Sequence, residues 1–279
     1  MDSTIDGTLV SKTLNPAQNG VRKRVLSLFL LFCILILTFS CSSRQEIAID
    51  LSGEGTGSME ITLHPVLTSY LADLSMVMSD TDESQDTSEI SVFDEVGIWN
   101  GFALNNSIDL VSVDIPKPNQ LKLEWTFSDL NEPFLDSAGS AGSGATVKTE
   151  RNVLSFKKEG RLRIFEFYLA PENFYQVSKY FPLMDENLLA YFGPNPDDPV
   201  PEDIYKEDLE FALEDYLDND SIDDILETSI ISLLVKTEGK LVSNVGGRIV
   251  DRGVLFETPL IKILTLNEPV FYRLVFTEE

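Results

Sequence analysis

Gln120-Leu121-Lys122-Leu123-Glu124-Trp125-Thr126-Phe127 alternates apolar and polar residues without a break. Successive side chains of an extended chain point to opposite faces, so Leu121, Leu123, Trp125 and Phe127 share one side. Such a stretch is a strand with one face in a core and the other in water. Just upstream, Ile108 to Val113 reads as a second strand, and Pro116-Lys117-Pro118-Asn119 makes the turn between them. So short a link makes the pair antiparallel, because a parallel pair needs a crossover of a dozen or more residues.

The same paired unit recurs outward in both directions. Upstream, Ile47, Ile49 and Leu51 alternate with Ala48 and Asp50, so Glu46 to Leu51 is a strand. The turn Ser52-Gly53-Glu54-Gly55-Thr56-Gly57 leads into a partner strand, Ser58 to Leu63. Downstream, Val153 to Phe156 and Leu162 to Leu169 pair about Lys157-Lys158-Glu159-Gly160. Ile230 to Lys236 and Lys240 to Ser243 form a last hairpin, with Asn244-Val245-Gly246-Gly247 as the turn that follows. Val254 to Glu257 and Val270 to Phe276 are strands, on either side of a short helix from Pro259 to Leu266.

Helices fall between these pairs. Val66, Leu67, Tyr70, Leu71 and Leu74 have helical spacing over Val66 to Met78, and Val92, Phe93, Val96, Trp99 and Phe102 have it over Ile90 to Leu104. From Pro171 to Ser229 the pattern is helical, apart from a Pro- and Asp-rich break at Gly193 to Pro201. There Phe174, Val177, Tyr180 and Phe181 make one apolar face, and Glu202 to Leu217 makes the clearest helix. Ser221 suits an N-cap, with Asp223 and Asp224 behind it at the positive end of the helix dipole. Strands in local pairs, without regular βαβ units, predict an α+β fold. We expect an antiparallel sheet built from hairpins, with helices packed on it and a helical insertion near 171–229.

The body of the chain offers little chemistry. Gly53, Gly55 and Gly57 do not make a phosphate loop, because no Gly-Lys-Ser/Thr follows them. Ser79 to Glu89 is an acidic loop, and Asp80, Asp82 and Asp86 lack the glycine and twelfth-position Glu of a calcium loop. His64 is the single histidine, placed before Pro65, and it reads as a capping or surface residue more readily than as a general base. Asp+Glu number 46 against 21 Lys+Arg, for a net charge of −25. That excess argues against nucleic acid, whose phosphates need clustered Lys and Arg, and against docking on anionic lipid through the surface. In a chain this acidic, any two carboxylates resemble a glycosidase pair, so none is assigned. No cofactor, metal or catalytic residue is predicted.

The cysteines are Cys33 and Cys41, both near the N-terminus, so neither a disulfide nor a thiol nucleophile is possible after position 41. Arg22-Lys23-Arg24 precedes Val25 to Phe39, in which only Ser27 and Thr38 are even mildly polar. This is the charged and apolar sequence of a signal peptide, and it is short for a spanning helix, which needs about 20 apolar residues. An uncleaved anchor is the rival reading. The polar residues 1–20 are unusual before such a segment. Translation from Val21 would leave a conventional Val21-Arg22-Lys23-Arg24 start and place residues 1–20 outside the chain.

Leu37-Thr38-Phe39-Ser40-Cys41 resembles a lipobox, the processing motif of bacterial lipoproteins. The usual pattern has an aliphatic residue three before the cysteine and a small one two before it. Thr38 and Phe39 stand in those places here, which is similar to the relaxed lipobox of spirochaetes. The resemblance implies a diacylglyceryl group on Cys41, cleavage between Ser40 and Cys41, and acylation of the new amine in many species. Cys33 is a poor alternative, since bulky Leu31 and Phe32 precede it. Removing residues 1–40 takes away two carboxylates and four cations, which leaves about −27.

The predicted organisation is a signal peptide over 1–40, a lipidated tether over 41–45, and one α+β domain over 46–279. The opening strand pair, the helix before Ile108 and Trp125-Thr126-Phe127-Ser128-Asp129-Leu130 also resemble spirochaetal lipoproteins carrying an LppM-like domain. The strands Val235 to Asn244 and Val270 to Phe276 fit the same outline. That resemblance implies envelope or lipid association and carries over no catalytic residue. The function expected is a secreted lipoprotein on the cell membrane or outer membrane, acting without catalysis as an interaction or structural module, with a protein or lipid ligand. The alternative is a carrier of lipid or another small apolar ligand, its pocket lined by the aromatic face of Phe174, Tyr180, Phe181, Tyr191 and Phe192.

Overall fold

The computed structural model describes residues 41–78, 91–103, 107–131, 151–177, 193–195, 198–217, 220–251 and 253–278. The predicted signal peptide, the Asp80/Asp82/Asp86 loop, and Tyr180, Phe181, Tyr191 and Phe192 lie outside them. Ser40 to Glu279 is one compact unit.

The fold is α+β, with two mostly antiparallel sheets. β1 (Ser42–Ile49) and β2 (Gly55–Thr62) form the first hairpin. β3 (Ile108–Lys117) and β4 (Gln120–Phe127) form the second, and β4 pairs onto β2. β5 (Leu154–Glu159) and β6 (Leu162–Leu169) form the third. Then come β7 (Ile230–Thr237), β8 (Lys240–Val245), β9 (Arg248–Val250), β10 (Gly253–Pro259) and β11 (Val270–Thr277). The larger sheet has the order β3-β4-β2-β1-β7-β10-β9, and the smaller has the order β5-β6-β11-β8.

Two sequence expectations need correction. β7 and β8 do not form a hairpin. β7 lies between β1 and β10 in the larger sheet, whereas β8 crosses to the smaller sheet and pairs with β11. β7 packs Leu233 and Val235 into the core and β8 packs Leu241 against it, and nothing local says that they serve different layers. Residues 42–45 are not a tether. Ser42, Ser43, Arg44 and Gln45 pair with Thr62 to Met59 on one side and with Ile230 to Leu233 on the other. Backbone hydrogen bonds to two neighbours hold these residues whatever their side chains, so a polar sequence here is no sign of a loose chain.

β1 and β7 are parallel, although their sequences lie far apart. That pairing makes β1 a central strand. It is reinforced by an ion pair between Glu46 and Lys236 on facing strands. The buried faces of both sheets meet in one core. Leu121, Leu123, Val235 and Phe256 from the larger sheet join Phe165 and Phe276 from the smaller. Ile98 and Phe102 reach the same core from a helix, α2 (Glu95–Ala103). That helix starts later than the apolar spacing predicts, because Ser91 Oγ bonds both the N–H and the C=O of Phe93 and shapes a bend there.

The other described helices form a second core. α1 is Pro65–Met78, α3 is Glu202–Leu213, α4 is Ile222–Thr228 and α5 is Leu260–Thr265. Pro171–Asn173 and Glu214–Tyr216 are single 3₁₀ turns. Val66, Leu209, Leu213, Ile225, Leu226 and Ile261 pack together, and the ring of Tyr70 meets Tyr216 edge-on at 5.6 Å. Ser221 caps α4, its hydroxyl accepting from the N–H of Asp224 at 3.1 Å. The acidic helices α3 and α4 are thus held by their apolar residues, with their carboxylates exposed.

The strand register fixes which elements share an end. One row across the larger sheet runs Lys117, Gln120, Thr62, Ser42, Ile230, Pro259. The opposite row holds Ile108, Phe127, Gly55, Ile49 and Thr237. α1 begins just after Thr62, α4 ends just before Ile230, and α5 begins just after Pro259. All three helix termini therefore gather at the end of the sheet where Cys41 enters it.

Candidate lipid-attachment site

Cys41 is the residue before β1, and only 6% of it is exposed. Its Sγ accepts a hydrogen bond from the backbone N–H of His64 at 2.9 Å, and a side-chain hydrogen bond links it to Ser229. Ser229 follows α4, is fully buried, and donates its hydroxyl to the carbonyl of Ile225 at 2.6 Å. The N–H of Leu260, which opens α5, donates to the carbonyl of Ser229 at 2.8 Å. Burial pushes the Cys41 thiol up, more than these hydrogen bonds lower it. A thiol raised in this way stays protonated at neutral pH and is a poor nucleophile in the folded state.

His64 closes the other wall, 4% exposed. It is the N-cap of α1: its carbonyl accepts from the N–H of Thr68, and its Nδ1 accepts from the N–H of Val66 at 3.3 Å. Pro65 fits the first helical position, where no N–H is needed. With Nδ1 accepting, the proton of the neutral ring sits on Nε2, which faces Asp220 Oδ2 at 4.0 Å. The only lone pair of the imidazole is spent on the helix, so the ring is not placed as a base for the thiol. The capping role was readable from His-Pro ahead of an apolar run. The approach of Ser229 and Asp220 to Cys41 and His64 was not, because both arrive from a distant helix.

Burial lowers the pKa of His64 below its ordinary 6.5, against a smaller upward pull from Asp220. The folded state therefore binds the proton less readily than the unfolded chain. The stability this gives is complete above pH 6.5 and is lost as pH falls through the lower folded value. His64 is the single histidine, so it is the one side chain whose ordinary pKa lies inside this range. Urea midpoints of the 41–279 chain are expected to fall from pH 7.5 to pH 5.5. A His64→Asn variant, which keeps a capping side chain, should flatten that slope. An equal slope in both proteins would contradict this assignment.

Elsewhere, Arg151, Lys157 and Arg273 converge on Glu166, at 3.5, 3.2 and 3.5 Å. Burial alone would raise that carboxyl, but the hydrogen bond from Lys157 and the three positive charges hold it below its usual range. Arg151 also lies over the rings of Tyr168 and Phe271. Among the described residues, no group of three or more His, Cys, Asp or Glu side chains is arranged to hold a metal ion.

No family model matches the chain. No curated protein matches it in sequence. Among solved structures, it is similar to the NMR structure of the folded domain of LppM from Mycobacterium tuberculosis. The identity is 13%, 85% of this chain and 90% of that one are covered, and the TM-score is 0.34. A superposition that loose does not establish a shared topology. Among the described residues, no helix is long and apolar enough to cross a membrane.

Proposed function

We propose that the chain is an exported lipoprotein, cleaved before Cys41 and held on a membrane by lipid on that cysteine. Its folded part acts without catalysis, as an interaction or structural module of the cell envelope. The observation that carries this reading is a coincidence of boundaries. The lipobox-like stretch ends at Cys41, and the first strand begins at the next residue, Ser42. Ser40 to Glu279 is a compact unit in its own right, so a cut before Cys41 falls at its edge. Two or three acyl chains anchor firmly where a single one is marginal.

The carrier alternative is less well supported. Among the described residues, buried side chains of both sheets pack into one core, including the fully buried Phe165, Phe256 and Phe276. A depression of about 360 Å³ is lined by Glu207, Glu210, Phe211, Glu214 and Leu217. Three carboxylates at such a site repel the head of a fatty acid, and apolar ligands favour enclosed, apolar walls.

Mass spectrometry of the membrane-extracted protein tests the lipoprotein reading. The N-terminal peptide should begin at Cys41 and carry diacylglycerol. A peptide that begins upstream of Cys41, or an unmodified Cys41, would refute it.

A further inference from the structure

We propose that the domain stands end-on against the lipid surface, with the Cys41 end of its larger sheet in contact with the headgroups. This rests on the lipoprotein reading and adds to it the surface that meets the bilayer. The reason is the absence of a spacer. Cys41 is followed at once by Ser42, which pairs on both sides within a central strand. Lipid attached at Cys41 therefore cannot stand off from the fold, and the position of the sulfur fixes the position of the sheet.

The surroundings of the sulfur limit the way by which the lipid can leave. The backbone N–H of His64, at the start of α1, donates to the sulfur, and the side chain of Ser229, at the end of α4, hydrogen-bonds it. A thioether keeps sulfur lone pairs, so the His64 N–H still has an acceptor after modification. The glycerol must leave between these two helix termini. That places the row Lys117, Gln120, Thr62, Ser42, Ile230 and Pro259 next to the headgroups. Ile230, next to Ser42 in the row, keeps 38% of its surface exposed. The opposite row lies seven residues along the strands, or about 23 Å away at about 3.3 Å per residue. Strand β1 thus points away from the bilayer and carries the β1–β2 turn to the distal tip.

The test uses the intact lipidated protein, reconstituted in phosphatidylcholine vesicles containing brominated lipid. Once processed, the chain has Cys41 as its one cysteine, consumed by the lipid, so a single introduced thiol takes a fluorophore cleanly. Lys117→Cys and Lys262→Cys place labels on the near end, on exposed side chains of two different elements. Glu54→Cys and Glu238→Cys place them on the far end, also exposed. Both near labels should lose most of their emission to the bromines, and both far labels should keep theirs. Equal quenching at the two ends, or quenching at neither end of a protein whose mass confirms the lipid, overturns the orientation while the lipoprotein reading stands. A protein that carries no lipid overturns both.

Discussion

Serine in place of Cys41 is expected to abolish acylation. A hydroxyl at this position is not a nucleophile like a thiolate, so no diacylglyceryl thioether forms. Labelled palmitate should enter the wild-type protein and be absent from Cys41→Ser. Because cleavage follows lipid transfer in the resemblance on which this reading rests, the variant should also keep residues upstream of 41 and run as the larger precursor. The fold itself should change little. Serine retains an oxygen to accept the His64 N–H in place of Sγ, and it fits the same buried space. Circular dichroism of wild-type and variant 41–279 chains should therefore agree. A Cys41→Ser protein that still matured at the same bond would remove the basis for the anchor, as would a wild type that never took up palmitate.

A large loss of stability is expected at Gly57. This residue is buried in β2, opposite Ile47 on one side and Trp125 on the other. A Cβ there would sit 2.1 Å from Cε2 of the Trp125 indole and 2.3 Å from Cζ2. No rotation of an alanine relieves that contact, so either the strand or the indole must move within a packed core. Overpacking of this kind costs about 3 kcal/mol, the upper part of the usual range. For a domain of this size that is a fall of roughly 6–12 °C in melting temperature. Gly57→Ala paired with Trp125→Leu should recover part of the loss, since the second change clears the space that the first one fills. Gly160 makes the contrast. Nothing lies within 4 Å of a Cβ there, but its φ is +60°. Gly160→Ala should cost only about 1 kcal/mol, from the left-handed backbone alone. Equal losses at the two positions would show that Trp125 does not rest on Gly57.

These two residues also show what was legible in the sequence. Leu121, Leu123, Trp125 and Phe127 announce their strand and its buried face, because alternation is a local pattern with one structural meaning. All four are buried, at 0–6% exposure. Gly57, by contrast, reads as part of a glycine-rich turn. The strand begins three residues earlier than that reading allows, at Gly55, and Gly57 serves as a seat for an indole contributed by a strand almost seventy residues away. His64 before Pro65 was readable as a cap. That its N–H donates to Cys41 was not, because the two meet only when β1 and β2 pair.

The sequence by itself determined the α+β class, the three local hairpins, most helices, and the cysteine on which the anchoring proposal depends. Each of these is written in neighbouring residues, through period, turn chemistry or a short motif. Only the tertiary structure decided that the strands divide into two sheets, that β1 and β7 run parallel side by side, and that polar residues 42–45 form a strand instead of a tether. Pairing between distant segments depends on which edges meet and which side chains fill one core. Backbone hydrogen bonds are the same for every residue, so they leave no mark in the sequence.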